Sequence, residues 1–382
     1  AVADEKYFCL VHQSYTLKLP QISTKNDEYN YYIGEKGINI SKTSKNHKLT
    51  YPMQDGIIDN WDLMEKFWHQ SIYQYLKCDP QEHIFVLTEP PMNPPENRES
   101  IAEIYFETFN VPGIYIGVQA VFALIGCNKT YEDEGGKLMD KEQEDAVKSL
   151  TGVVVDSGDG VTHVVPICDG FVVGTSIKHI PIAGRKITKF IEQMIRERGE
   201  KINTEDLYYA AMDIKEKHGY LAKDLVEEFA KFDEKKPDDT GKLAQSKKFK
   251  KYEGVGKISG KPFSINVGYE TFLGPEAFFS PEIIDKNWKT SLDETIDLTI
   301  QQCPIDYRRK LYSDIVFSGG STSFKNLDRR LNINLQQRVD DRLKKYESDG
   351  HKPKPIKVKV TNSMAQKHVV WLGGSSFSST EN

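Results

Sequence analysis

The spacing of hydrophobic residues divides most of the chain into alternating strands and helices. Three consecutive β-branched residues at 153–155 predict a short buried strand, and residues 84–88 and 315–317 carry similar apolar runs. Between residues 60 and 77, large apolar side chains recur every three or four positions, which predicts an amphipathic helix. Strands that alternate with helices indicate the α/β fold class.

Four other segments carry weaker signals. Residues 93–96 (NPPE) predict a helix start with Asn as N-cap, and residues 369–372 predict a late strand that leads into a small-residue turn, 373–376. Residues 128–149 are charged and broken by glycines, which predicts a surface insertion and a candidate domain boundary. Residues 233–260 predict a loop, in which KKFKK forms solvated surface rather than a basic binding patch.

The turn after the strand at 153–155 has the clearest chemistry. It reads DSGDG over residues 156–160, and a second strand follows over 161–166. One interpretation is a plain β-hairpin closed by an Asp-Gly turn. The other is a phosphate-binding turn, in which backbone amides form an anion cradle and Asp156 faces a divalent metal or its waters. The segment alone leaves both interpretations open.

A second strand-to-turn element lies near the end of the chain. The strand at 315–317 opens into SGGST (318–322), and α/β folds build ligand sites where strands end. The two turns together predict a nucleotide cleft between the halves of the chain. Gln119 is a lone amide in the apolar segment 118–125, which we predict to be helical, and its simplest interpretation is a satisfied core or helix-end group.

Composition narrows the class of protein. The 382 residues are 38% hydrophobic and 28% charged, with a formal net charge of −5, which predicts a soluble protein of two domains or two lobes. The mild negative charge gives no reason to expect a nucleic-acid partner. No apolar run reaches the roughly 18 residues of a membrane span, and no targeting segment is visible. Five scattered cysteines fit a reducing compartment, so a cytoplasmic location is expected.

The chain resembles the actin superfamily over roughly residues 51–380. The motifs that carry the resemblance occur in the family's order: YPMQDGIIDNWDLMEKFW (51–68), LTEPPMNPPENRE (87–99), VVVDSGDGVTHVVP (153–166), HIPIAGRKIT (179–188), DIKEK (213–217) and VFSGGSTSF (316–324). Three more stretches resemble an actin-related branch of the family more than conventional actin: FNVPGIYIGVQAV (109–121), YETFLGPEAFFSPEI (269–283) and QCPIDYRRKLY (302–312).

The resemblance implies an actin-like α/β fold. Such a fold has two lobes, each built on a ribonuclease-H-like β-sheet with flanking helices, and a nucleotide cleft between them. It also implies four subdomains, namely subdomain 1 (1–20, 51–150 and 368–382), subdomain 2 (21–50), subdomain 3 (151–182 and 275–367) and subdomain 4 (183–274).

Roles for single residues are implied as well. Gln119 and His163 match the pair that positions the attacking water in the family's slow ATP hydrolysis, and Asp156 matches a carboxylate that holds the metal through water. The other matches are nucleotide-binding positions: Ser157, Gly158, Asp159, Gly160 and Val161 at the phosphates, Gly184, Lys215 and Glu216 on the purine and ribose side, Gly319, Gly320, Ser321 and Phe324 in the closing turn, and Lys367 near the adenine. The implied cofactor is ATP or ADP with Mg.

Four features depart from the family pattern. The family's glycine-rich first phosphate loop corresponds to CLVHQSYTLKLP (9–20), which has no glycine and no acid, although a tight amide cradle favours glycine. Lys186 stands where the family usually has Asp, and Asp55 where it usually has His. The tail that completes the first subdomain does not follow Asn382. The first loop is therefore expected either to have diverged or to be missing from this sequence.

The function implied by the resemblance is structural. We expect an actin-related subunit that works with a second actin-like subunit and smaller scaffold subunits to seed branched actin filaments, while a nucleotide clamps its lobes. Since one side of the phosphate site is not recognisable, ATP hydrolysis is expected to be slow at most. The alternative is a structural subunit of another cytoskeletal or ciliary assembly with a degenerate nucleotide site. The match through 269–312 disfavours a phosphotransferase or a chaperone ATPase.

Overall fold

A computed structural model describes residues 7–10, 19–22, 30–33, 37, 47–54, 56–133, 141–233, 249–348, 350, 353–363 and 365–379. Its strands are β1 (Tyr7–Leu10), β2 (Leu19–Ile22), β3 (Asn30–Tyr31), β4 (His47–Thr50), β5 (Met53–Gln54), β6 (Ile57–Ile58), β7 (Ile84–Glu89), β8 (Ile114–Val118), β9 (Gly152–Ser157), β10 (Thr162–Cys168), β11 (Phe171–Val172), β12 (Lys178–Ile180), β13 (Lys250–Val255), β14 (Pro262–Val267), β15 (Ile315–Ser318) and β16 (Val360–Thr361).

The α-helices of the described residues alternate with these strands. They are α1 (Trp61–Gln70), α2 (Pro95–Glu103), α3 (Gln119–Asp133), α4 (Lys141–Lys148), α5 (Gly184–Glu197), α6 (Thr204–His218), α7 (Leu225–Asp233), α8 (Glu270–Glu276), α9 (Leu292–Gln302), α10 (Ile305–Ser313), α11 (Leu327–Ser348) and α12 (Val369–Ser378). Within the described ranges, none of these helices combines the length and the apolar character needed to span a membrane.

Two sheets form the framework of two lobes. In the first lobe, β1, β7 and β8 lie side by side and run parallel. In the second lobe, the order is β11-β10-β9-β15-β16, with β12 also paired to β10. There β9 runs antiparallel to β10 and parallel to β15. The predicted α/β class is confirmed, and the β-branched run 153–155 is fully buried at the centre of the larger sheet.

Each lobe has a hydrophobic core, and a third cluster joins them. In the first lobe, Trp68 and Phe85 pack around the buried ring of Tyr105. In the second lobe, apolar residues of α5, α9 and α11 cover the larger sheet. The joining cluster contains Val86 of β7 together with Val154 and Val316 of the second sheet, and it is completed by side chains of α3 and α12. The two sheets therefore share buried apolar surface.

Close packing of α3 against α12 holds this joining cluster together. A Cβ atom added at Gly373 would overlap the carbonyl oxygen of Phe122, and one added at Gly126 would overlap that of Val369. The two helix backbones are therefore in direct contact, which only residues without a side chain permit. The strand predicted at 369–372 and the turn at 373–376 are wrong, because both segments belong to α12.

Two other predictions about local structure are corrected. The N-cap of α2 is Pro94, not Asn93, because Pro95 forces residue 94 out of the helical region. Residues 250–255 form a strand rather than a loop, and Tyr252 packs against Phe263 across the hairpin. The segment 128–149 is helical at both ends, in α3 and α4, while 134–140 lie outside the described residues.

We predict that Gly373→Ala destabilises the protein. The added methyl group must push apart two helix backbones, so the free energy of unfolding should fall by about 3 kcal/mol, the upper end for overpacked cores. Thermal or denaturant unfolding measures the loss. Gly174→Ala is the control, because nothing lies within 4 Å of a Cβ added there. Equal stability of the two variants would contradict the close contact of α3 and α12.

Candidate functional site

A cavity of about 500 Å³ opens between the two lobes. This volume lies inside the range of about 300–1,000 Å³ that small-molecule sites usually occupy. The second lobe contributes the β9–β10 turn, the start of α5, the end of α6 and the turn after β15. The first lobe contributes residues between Tyr51 and Pro90. Two strand-to-turn elements thus meet at one site, as the sequence predicts.

The β9–β10 turn is a hairpin whose tip faces the cavity. Ser157 pairs with Thr162, and the amide of Gly158 donates to the carbonyl of Val161 across 3.4 Å. Gly158, Asp159, Gly160 and Val161 all line the cavity. The hairpin interpretation is therefore confirmed. A hairpin does not exclude the phosphate-binding interpretation, because the residues of the turn lie at the cavity wall. Phosphate binding stays a prediction.

Three chain segments approach one another at backbone distance around this turn. The amide of Gly184, at the start of α5, donates to the carbonyl of Gly158 across 3.1 Å. A Cβ atom added at Gly184 would lie 2.7 Å from Ser321 Oγ and 3.1 Å from Lys215 Nζ. Gly319 has a φ of +87°, which favours glycine. Glycine at these positions therefore allows a close approach of the three segments that a side chain would prevent.

Two carboxylates stand beside the turn with different partners. Asp156 lies opposite Ser318 in the β9–β15 register. Burial raises the pKa of Asp156, and a hydrogen bond with Ser318 acts in the opposite direction. Asp159 accepts a hydrogen bond from Arg185 Nε across 2.9 Å. Among the described residues, no three His, Cys, Asp or Glu side chains cluster as a metal site. Carboxylate oxygens are ligands that Mg accepts, either directly or through water.

Lys215 occupies the junction between the turn and the opposite wall. Its side chain is 7% exposed, and its Nζ donates to the carbonyl of Gly184 across 3.0 Å. Burial lowers the pKa of Lys215, while the carboxylates of Glu216 and Asp159 partly offset this effect. Glu216 and Phe324 also line the cavity there. This wall, with one aromatic face and two charged groups, has the chemistry to hold a base and a sugar.

Gln119 and His163 both line the cavity. Gln119 is the first residue of α3, and His163 lies opposite Asp156 on β10. The rings of His163 and His179 lie 5.2 Å apart. Burial, together with His179, lowers the pKa of His163 to about 4, so the ring is neutral at pH 7. A neutral imidazole and an amide can each orient a water molecule, which is the role predicted for them.

Of the remaining residues that were predicted to bind nucleotide, most line the cavity and one does not. Gly320, Ser321 and Lys367 line the cavity, but Ser157 is not among the described residues that do. Ser157 is fully buried behind the turn, where its hydroxyl shares a hydrogen bond of 2.7 Å with Thr162. The Ser157 hydroxyl is thus already paired, and the role predicted for Ser157 at the phosphates stays a prediction. The other roles stay predictions.

Sequence reasoning missed the apolar wall that the first lobe gives to the cavity. This wall comprises Tyr51, Pro52, Met53, Gly56, Met64, Phe67 and Pro90. Met64 and Phe67 have the helical spacing of ordinary core residues, so the sequence gives no signal for them. Arg185 was also missed, although it directly follows Gly184 in the motif HIPIAGR.

The departures from the family pattern have partial structural accounts. Lys186 forms an ion pair of 3.3 Å with Asp285, so a basic residue at this position has an acidic partner. Asp55 lies outside the described residues. In the 9–20 segment, Cys9 and Leu10 belong to β1, and Leu19 and Pro20 belong to β2. Residues 11–18 lie outside the described residues.

Comparisons with known proteins agree on one family. The family model described as Actin matches residues 10–382. The chain is 47% identical over 357 residues to "Actin-related protein 3" of Caenorhabditis elegans, covering 93% of this chain and 79% of that protein. The protein of the same name from Drosophila melanogaster is 46% identical with the same coverage. That from Acanthamoeba castellanii is 47% identical over 356 residues, covering 92% and 78%.

Proposed function

Because the chain belongs to the actin family, we propose that it is a subunit of a multiprotein complex that seeds branched actin filaments. The observation that carries this proposal is the similarity to proteins named actin-related protein 3, which extends over 93% of the chain. A short shared motif would support a common site only. Similarity over nearly the whole length supports a common set of surfaces, and assembly depends on surfaces.

We further propose that ATP or ADP with Mg occupies the cavity and clamps the two lobes. Residues of both lobes line the cavity, so one ligand can contact both. The glycine-lined turn suits the phosphates, and Lys215, Glu216 and Phe324 suit the sugar and base. When bound, Mg would neutralise phosphate charge, and Asp156 and Asp159 are the residues that would hold its waters.

The proposed partners follow from the same similarity. They are a second actin-like subunit, smaller scaffold subunits and actin itself, in the cytoplasmic cytoskeleton. No observation on the described residues favours the ciliary alternative. The lobes keep the nucleotide in place, and the outer surfaces carry the assembly.

We predict that nucleotide stabilises the protein and that Asp159→Ala weakens this effect. Mg-ATP that binds only the folded state must raise the melting temperature by mass action. Asp159 is proposed to hold the metal's waters, so its loss should weaken Mg-ATP more than metal-free ATP. Titration calorimetry measures both. Asp306→Ala, an exposed aspartate on α10, is the control and should bind as the wild type does. Equal melting with and without Mg-ATP would refute the clamp.

We predict that the protein purifies in a complex. Affinity purification from its own cells, followed by mass spectrometry, should recover a second actin-like protein and several smaller subunits in equal amounts. Recovery as a monomer, or with unrelated partners only, would reject the filament-branching assignment. The alternative cytoskeletal assembly would then be favoured.

We predict that hydrolysis is slow or absent. Gln119 and His163 can position a water, and the β9–β10 turn supplies donors on one side of the phosphates. Residues 9–20 carry no glycine and no acid for the other side. Losing one set of such donors typically costs about a hundredfold or more in rate. Single-turnover assays with the purified complex measure the rate. A rate equal to that of conventional actin would show that a working first loop exists.

A further inference from the structure

A buried carboxylate on α8 has incomplete pairing. The Glu276 side chain is 1% exposed, and its Oε2 atom has no hydrogen-bond partner among the described residues. Its Oε1 atom lies 3.7 Å from Arg330 Nη2, which is an ion pair but too long for a hydrogen bond. Buried polar groups are normally fully bonded, so this half-satisfied carboxylate needs an explanation.

Arg330 connects this carboxylate to another segment. Its Nη1 atom donates to the carbonyl of Ala222 across 2.8 Å and to that of Lys223 across 3.3 Å. Its guanidinium group also lies over the ring of Phe279, 5.3 Å from the centroid. The Nη1 atom of Arg330 thus binds the backbone of 222–223, while the Nη2 atom lies toward Glu276.

The segment 219–223 forms the back of the cavity wall that carries Lys215 and Phe324. The amide of Leu221 donates to the carbonyl of Lys325 across 2.9 Å, and Asn326 Nδ2 donates to the carbonyl of Leu221 across 3.2 Å. A Cβ atom added at Gly219 would lie 2.7 Å from the Phe324 ring. A shift of this segment must therefore move Phe324.

Charged groups on the neighbouring elements are engaged elsewhere. Arg198, at the end of α5, forms two hydrogen bonds with Glu270 at the start of α8. Lys186 of α5 pairs with Asp285. On α6, Asp213 pairs with Lys217.

One charged side chain, Lys223, lies on the segment itself, and another, Asp224, directly follows it. Lys223 and Asp224 are both exposed to solvent. Burial raises the pKa of Glu276 to about 7, and Arg330 is the charged group that lowers it in part. Within the described residues, Arg330 is thus the charge that Glu276 faces.

We propose that Glu276 is a proton-sensitive positioning residue for the base-side wall of the cavity. When it is ionised, Glu276 holds Arg330 against the 219–223 segment and so fixes Phe324. When it is protonated, this hold is released. The inference rests on the proposed binding of nucleotide in the cavity.

The direction of the effect follows from linkage. A nucleotide that packs on this wall keeps Arg330 beside Glu276 and thereby favours the ionised carboxylate. Binding then releases a proton, so affinity rises as pH rises through 7. A difference of one pKa unit between free and bound states corresponds to about a tenfold change in affinity.

The test measures the dissociation constant of Mg-ADP at pH 6 and pH 8. Wild type should bind about threefold to tenfold more tightly at pH 8. Glu276→Gln, which cannot ionise, should show a flat profile. Glu276→Asp retains a titrating carboxyl group and should retain the rise. Glu282→Gln is the matched control, because Glu282 is exposed on the next turn.

Stability gives a second measurement that does not need nucleotide. Because the folded state raises the pKa of Glu276 above its ordinary value, its stabilising effect is complete at low pH and is lost as pH rises through about 7. The melting temperature of wild type should therefore fall more between pH 5 and pH 8 than that of Glu276→Gln. A parallel fall in both proteins would show that Glu276 does not titrate there.

The outcomes separate the two proposals. Nucleotide binding with the same pH dependence in wild type and Glu276→Gln would overturn the role of Glu276 and leave the clamp intact. Absence of nucleotide binding at both pH values would overturn the clamp and this inference together. A lower melting temperature of Glu276→Gln with an unchanged pH profile would assign Glu276 a purely structural role.

Discussion

The fold depends on the contact between the backbones of α3 and α12. Gly126 and Gly373 let the two helices approach until peptide groups touch, and the apolar cluster around them reaches both sheets. Gln119 begins α3, and Val370 of α12 lines the cavity. The same contact therefore joins the lobes and sets the floor of the cleft. A larger side chain at either glycine would change the angle between the lobes and the shape of the site together.

The cavity wall around the β9–β10 turn follows the same rule, since it is made largely of backbone. The turns around Gly158 and Gly319 and the start of α5 meet at backbone distance, and the two side chains that enter among them, Ser321 and Lys215, each donate to a backbone carbonyl. Backbone amides carry no net charge, so they can surround an anion and cost little when the anion leaves. Charged side chains stand at the margin, where Asp159 is already paired with Arg185.

Local pattern was enough for the parts of the fold in which one signal dominates. The β-branched run 153–155 and the apolar runs 84–88 and 315–317 gave the correct element and nearly the correct bounds. The prediction for residues 369–376 was wrong because a short apolar run with glycines fits a strand and a turn as well as a helix. Only the packing against the partner helix selects the helical conformation. The glycine turns of the site could be found by motif. The apolar wall that contains Met64 and Phe67 could not be found in this way. Its side chains have the spacing of ordinary core residues and differ from them only because the cavity lies next to them.

The ion pair of Lys186 with Asp285 joins two positions that are far apart in the sequence, so a substitution at one of them affects the other. A family that usually has an acid at the first position would place two carboxylates together if that acid returned here alone. An acid at position 186 of this chain would lose the ion pair and face the Asp285 carboxylate, so a change at one position bears on the other. Alignment at single positions would score Lys186 as a departure from the family, whereas the three-dimensional contact shows that it has an acidic partner.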